Sequence, residues 1–140
     1  MAEKYYLDTC IWRDFYENRM GLHGKPLGKQ ANNLFTKVIS KRFMLLYSDL
    51  TVKELSIDYT KTEIKEMLNL LFLTGVLKKV DISENDYKEA QTIARQYGVP
   101  TPDALHALLA RNNNSVLVSQ DKHALLLQQV VRVMRPEEVP

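Results

Sequence analysis

The chain has 140 residues and a formal net charge of +2, from 19 basic and 17 acidic residues, which suits one domain over residues 1–140. Apolar residues make up 45% and charged residues 26%, which excludes wholesale disorder, a collagen-like fibre and a disulfide scaffold. No apolar run approaches the roughly 20 residues of a membrane span, no leader-like segment opens the sequence, and the lone Cys10 cannot form an internal disulfide, so a reducing, cytoplasmic setting is expected.

Tyr5-Tyr6-Leu7 reads as a short strand ending at Asp8. Ile11, Trp12, Phe15 and Tyr16 then form a helical stripe. Residues 18–29 hold Gly21, Gly24, Pro26 and Gly28 and read as a surface loop. Ala31, Leu34, Phe35, Val38 and Ile39 repeat at helical spacing. Arg42 to Tyr47 is an apolar strand, and Asp49 is placed to cap a short helix reaching about Ile57. Ile64, Met67, Leu68, Leu71 and Phe72 mark a further helix stopped by Gly75, followed by a strand over 76–82. Ser83 caps a helix ended by Gly98, and Thr101 caps another, with Pro102 at its first position, that runs to about Arg111. A fourth strand over 115–119, a short helix over 122–128 and a fifth strand over 130–133 complete the chain. Alternation of this kind predicts an α/β fold: a three-layer α/β/α sandwich around a central parallel sheet of four to five strands.

The small net charge neither announces nucleic-acid binding nor excludes it, so the placement of the acids carries the argument. Ligand sites in parallel sheets lie beyond the carboxyl ends of the strands. Asp8 follows the first strand, and Asp121 follows the fourth after Ser119-Gln120. Glu54 lies about one turn into the helix after the second strand. Asp103 opens the helix that runs back to feed the fourth strand, so it starts at the edge where that strand ends. With the first and fourth strands side by side at the sheet centre, four carboxylates converge. They repel one another unless protonated or bridged by a cation. Hard oxygen ligands suit Mg²⁺ or Mn²⁺, ions that activate water and stabilise charge on a phosphoryl group. Taken singly, each acid also fits a cap or a solvated helix face. Asp58, Asp81, Glu84, Asp86 and Glu89 fall away from the edge and read as surface charges or caps.

The ordered set Tyr6-Leu7-Asp8-Thr9, Ser48-Asp49-Leu50-Thr51-Val52-Lys53-Glu54-Leu55, Pro102-Asp103-Ala104-Leu105-His106-Ala107 and Leu117-Val118-Ser119-Gln120-Asp121-Lys122 resembles the PIN-domain family of metal-dependent ribonucleases, to which VapC-type toxins belong. The resemblance spans essentially the whole chain. It implies a PIN-like sandwich and Mg²⁺- or Mn²⁺-dependent endonucleolytic cleavage of RNA. By position, Asp8, Glu54, Asp103 and Asp121 match the family's acidic quartet, and Thr9 and Ser119 its small hydroxyl positions near the metal. The family often carries Asn or Asp directly before the last acid, where this chain has the longer Gln120. Many members are toxins held by a cognate antitoxin and form dimers.

Other features carry less. Gly24-Lys25 and Gly28-Lys29 lack the earlier glycine and the Ser/Thr of a phosphate loop. His23, His106 and His123 lack zinc spacing, His106 is expected to be packed or hydrogen-bonded, and Cys10 and Trp12 read as core. Arg13, Lys25, Lys29, Lys53 and Lys122 are candidates for a basic surround that meets RNA. The helix over 61–73 carries Leu68, Leu70, Leu71, Phe72 and Leu73, more apolar surface than one core stripe needs, and suggests a homodimer. Two rival readings stand beside the nuclease: a catalytically silent PIN-like domain that binds RNA or a protein partner, and a phosphatase with Asp8 as nucleophile. The phosphatase reading calls for a second acid two residues on, where Cys10 stands.

Overall fold

The structure, a computed structural model, describes residues 3–17 and 27–140. Five short strands, β1 (Lys4–Leu7), β2 (Met44–Ser48), β3 (Leu77–Val80), β4 (Val116–Val118) and β5 (Val133–Met134), form one sheet in the order β3-β2-β1-β4-β5. All four pairings are parallel, and Tyr6 stands opposite both Leu46 and Leu117. The helices are α1 (Thr9–Glu17), α2 (Leu27–Lys41), α3 (Asp49–Leu55), α4 (Lys61–Leu73), α5 (Glu84–Tyr97), α6 (Thr101–Asn112) and α7 (Lys122–Leu125). A 3₁₀ turn, Pro136–Glu138, follows β5.

The layers follow from the period-two alternation of buried strands. Tyr5 and Leu7 of β1, with Leu45 and Tyr47 of β2, pack on one face against Ile11, Trp12, Leu34, Phe35, Val38, Met67 and Leu71. Tyr6, Leu46 and Leu117 point to the other face, against Ala90, Ile93, Leu105, Leu108 and Leu109 of α5 and α6. Two apolar layers on one parallel sheet make the expected α/β/α sandwich. Trp12 is fully buried, as its spacing implied.

The edges of several elements differ from the sequence expectation, each for a local reason. Ser48, not Asp49, is the N-cap of α3: the last residue of β2 is still extended (φ −138°), and its amide donates to the Thr51 hydroxyl at 3.3 Å. Pro100, not Thr101, precedes α6, because its carbonyl already accepts from the Ala104 amide at 3.2 Å and closes the first turn. Pro102 is therefore the second helical residue. The loop expected over 18–29 ends earlier, since Leu27, Gly28 and Lys29 open α2; the rest of it lies outside the described residues. Arg42 adopts a left-handed φ of 56° that ends α2, so β2 starts at Met44. The expected 122–128 helix stops at Leu125, and the last strand is Val133–Met134 because Val130 and Val131 turn back to the Leu127 carbonyl. Gly75 and Gly98 behave as expected, with φ of 76° and 66° after α4 and α5.

The strand order reverses direction at β1, whose neighbours are β2 on one side and β4 on the other. The crevice beyond the carboxyl ends of β1 and β4 is thus the topological switch point, where parallel sheets hold ligands.

Candidate active site

Asp8 is the first residue beyond β1 and is about 9% exposed. Both its oxygens are fixed: the Thr9 amide donates to Oδ1 at 2.7 Å and the Ser119 hydroxyl to Oδ2 at 2.7 Å. Ser119 lies just past β4, and its Oγ also accepts from the Asp121 amide at 2.9 Å. One hydroxyl therefore ties the ends of the two central strands together. The Thr9 hydroxyl donates to Glu54 Oε1 at 2.6 Å, linking α1 to α3.

Asp103 projects from the first turn of α6, and Asp121 is the N-cap of α7, where its Oδ1 accepts from the His123 amide at 2.9 Å. Asp8, Glu54, Asp103 and Asp121 line one cleft of about 250 Å³, together with Thr9, Cys10 and Arg13. The four acids that the sequence placed at one edge do share one pocket. A second cleft of about 180 Å³ adjoins it through Asp121 and is lined by Ser119, Gln120, Lys122, Leu125 and Arg135.

The electrostatics match the geometry. Burial, together with the neighbouring Asp8 and Asp121 charges, raises the Asp103 carboxyl above the usual aspartate range against the pull of His123. Burial also pushes Glu54 upward, but hydrogen bonding and charge from His106, the Thr9 hydroxyl and Arg13 outweigh it and leave Glu54 below its ordinary value. Burial alone would lower the His106 imidazole; contact with Tyr6, Glu54 and Asp8 instead holds it well above the ordinary histidine value. Burial and Asp8 push the Cys10 thiol well up, so it stays neutral and offers no second acid to an aspartyl-phosphatase mechanism.

Two histidines that spacing passed over lie at this site. His106 is buried in α6 one turn after Asp103, with Nε2 2.5 Å from Glu54 Oε1. The expectation that it is hydrogen-bonded holds, and its partner is a quartet member. His123 places Nδ1 3.0 Å from Asp103 Oδ2 and 3.6 Å from Asp121 Oδ1. Asp103, Asp121 and His123 can each direct one ligand atom to a common point, these atoms lying within 4.8 Å of one another. The available signals were an i, i+3 step on one helix face for His106 and a two-residue step from Asp121 for His123.

Of the basic candidates, Arg13 lines the cleft and is clamped by the Glu54 carbonyl at 2.9 Å and Asp58 at 2.9 Å. Lys122 lines the adjoining cleft with Arg135, while Lys29 and Lys53 are exposed and line neither cleft. Lys25 and His23 lie outside the described residues. Among the described residues no helix is long and apolar enough to cross a membrane.

A family model for the PIN domain matches residues 5–130. The chain belongs to the PIN-domain family. No curated protein matches the sequence. Solved structures with this PIN fold include a chain of the toxin–antitoxin complex from Klebsiella pneumoniae, 14% identical, with TM-score 0.65 over 96% of this chain and 99% of that one. A chain of VapBC2 from Rickettsia felis, solved bound to a DNA fragment from its promoter, is 18% identical, with TM-score 0.62 over 94% and 98%. A chain of FitAcB from Neisseria gonorrhoeae is also 18% identical, with TM-score 0.59 over 96% and 99%. At these identities the PIN fold is what is shared.

Proposed function

We propose that this PIN-domain protein is a Mg²⁺- or Mn²⁺-dependent endoribonuclease of the cytoplasm, acting as the toxin of a toxin–antitoxin pair. The observation that carries the reading is the convergence of Asp8, Glu54, Asp103 and Asp121, from four separate segments, on one cleft at the sheet's switch point. The donor set fits a hard divalent ion: four carboxylates, with Asp103 carrying a like-charge burden from Asp8 and Asp121 that His123 only partly offsets. Asp8 and Asp121 would hold the ion most directly, with Asp103 and Glu54 binding it or orienting water, and His123 stands beside Asp103 and Asp121. Such an ion supplies Lewis acidity toward the phosphoryl group and eases ionisation of water.

The chain's own residues do the positioning. Thr9 and Ser119 fix both oxygens of Asp8, so the carboxylate is set before substrate arrives. Thr9 also holds Glu54, through its side-chain hydroxyl. Lys122, in the adjoining cleft, supplies positive charge where the RNA backbone continues past Asp121, while Arg135 beside it is paired with Glu137 and Glu138. Lys122→Ala is expected to raise KM several-fold at low salt with little change in kcat, and the difference should shrink as salt rises; an unchanged KM at low salt would remove Lys122 from the RNA path.

The toxin reading is supported by the structural neighbours, which include toxin–antitoxin complexes. A homodimer is supported by α4. Leu68 and Leu71 face the core, but Phe72 is 47% and Leu73 78% exposed, an apolar end on the helix; the Leu70 side chain is outside the described set. Light scattering at micromolar concentration should give twice the 16.2 kDa chain mass; a monomer mass would count against the dimer.

The deciding experiment is cleavage of varied RNAs with Mg²⁺, with Mn²⁺ and with a strong chelator. Cleavage only with metal supports the reading. RNA binding without cleavage under every condition would instead favour a silent PIN domain.

A further inference from the structure

The polar interior behind Glu54 is a continuous chain. The Ser48 hydroxyl on β2 lies 2.7 Å from the Tyr6 hydroxyl on β1, and that hydroxyl lies 2.7 Å from His106 Nδ1 on α6. On the far side of the ring, Nε2 lies 2.5 Å from Glu54 Oε1 on α3. Ser48, Tyr6 and His106 are all buried to within 1%. Three polar groups in the core between sheet and helix are expensive unless every one is satisfied, and here they satisfy one another in sequence.

The chain has a direction set by its end. A carboxylate only accepts, so Nε2 must carry the hydrogen that faces Glu54. In the neutral ring, Nδ1 then accepts from the Tyr6 hydroxyl, which in turn accepts from Ser48. In the charged ring, Nδ1 donates to Tyr6 and the hydroxyls rotate. Either way the ring is held by Tyr6 and aims Nε2–H at Glu54.

The consequence falls on the carboxylate. Glu54 sits on a long side chain, and without partners it would sample several rotamers. His106 and Thr9 both bind Oε1, and among the described residues no hydrogen bond falls on Oε2. One oxygen is thereby anchored and the other left for the cleft that Glu54 lines.

We infer that His106 is a positioning residue for Glu54, oriented by the buried Tyr6–Ser48 pair, so that Glu54 presents Oε2 to a divalent ion or its water. The inference rests on the metal-dependent reading proposed above. Partners of this kind behind a metal ligand typically contribute about 10- to 100-fold in metal affinity.

The test is Mn²⁺ binding to the full chain by calorimetry or by electron paramagnetic resonance, without RNA. His106→Phe keeps a ring but removes both nitrogens and should weaken Mn²⁺ binding about 10- to 100-fold. His106→Gln, which restores an N–H toward Glu54, should recover most of the loss. Tyr6→Phe removes one oxygen and should show a smaller loss in the same direction, and it carries the test if His106→Phe fails to fold. In a Glu54→Gln background, His106→Phe should cost nothing further, since its effect travels through that carboxylate. Leu109→Ala, a cut in the buried face of the same helix, should lower the melting temperature and leave Mn²⁺ affinity unchanged. If the wild type binds Mn²⁺ and neither His106→Phe nor Tyr6→Phe weakens it, the positioning role is overturned while the nuclease reading stands. An equal loss in the Glu54→Gln background also overturns it, by showing a general structural effect. A wild type that binds no Mn²⁺ overturns the metal-dependent reading and this inference with it.

Discussion

Asp8→Asn is expected to lower metal-dependent RNA cleavage by more than about a hundredfold while leaving the fold intact. Groups that merely orient a metal's ligands are worth about 10- to 100-fold, so a carboxylate bearing directly on the ion should be worth more. The substitution is close to isosteric. The Asn oxygen can still accept from the Thr9 amide that now meets Oδ1 at 2.7 Å, and its amide can donate to the Ser119 hydroxyl, which rotates to accept. The geometry survives and the charge does not, so the loss isolates electrostatics. The metal-free melting temperature should change little, since removing a negative charge beside Asp103 is offset by removing one 3.9 Å from His106 Nε2. Rates are compared at saturating RNA with Mg²⁺ or Mn²⁺, alongside the wild type in strong chelator. Wild-type cleavage by Asp8→Asn, or full wild-type activity in chelator, would sink the metal mechanism.

Much of this arrangement was legible because it depends on topology rather than on rotamers. A residue just past a parallel strand, and one in the first turn of a helix returning toward it, must share an edge whatever their side chains do. That reasoning brought Asp8, Asp103 and Asp121 together and placed β1 beside β4. Glu54 followed because α3 is short and starts directly at Ser48. The partners of the acids were not legible in the same way. Tyr6 reads as one more core position in an alternating strand, and only the structure shows its hydroxyl reaching both Ser48 and His106. His123 hid in a short helix whose start, Asp121, looked like an ordinary cap. It is such a cap, and the same carboxylate also lines the cleft. Helix starts shifted by one residue at Ser48 and Pro100 because an N-cap is defined by backbone conformation, which a run of Ser-Asp or Pro-Thr leaves open.

The same crowding gives the second large effect, on stability. Asp103→Asn should raise the metal-free melting temperature at neutral pH by a few degrees and shrink the gain that metal gives. Two favourable effects act on ionised Asp103: its place in the first turn of α6, worth roughly 0.3–1 kcal/mol, and His123 Nδ1 at 3.0 Å. Burial and the charges of Asp8 and Asp121 outweigh them, since the carboxyl is raised rather than lowered. A raised folded-state value means the folded chain holds a proton that the unfolded chain has lost. Metal-free stability therefore falls as pH climbs from the ordinary aspartate value, about 3.9, through the raised one; the penalty is absent below that window and fully present above it. Asn removes the charge at all pH, so the advantage of Asp103→Asn should be present near pH 7 and vanish near pH 3.5, a range set by the ordinary aspartate value of about 3.9. In a chain this size 1 kcal/mol corresponds to about 2–4 °C. An ion at 100 times its Kd adds about 2.7 kcal/mol, so the wild type should gain roughly 5–10 °C with Mg²⁺ or Mn²⁺. Asp86→Asn is the control: its carboxylate accepts from the Ser83 amide at 2.8 Å at the start of α5, away from the cleft, and its metal response should match the wild type. Melting curves of the three proteins with and without metal, at both pH values, decide the matter. If Asp103→Asn and Asp86→Asn gain equally from metal, Asp103 serves only to start α6 and the ion is held by the remaining acids.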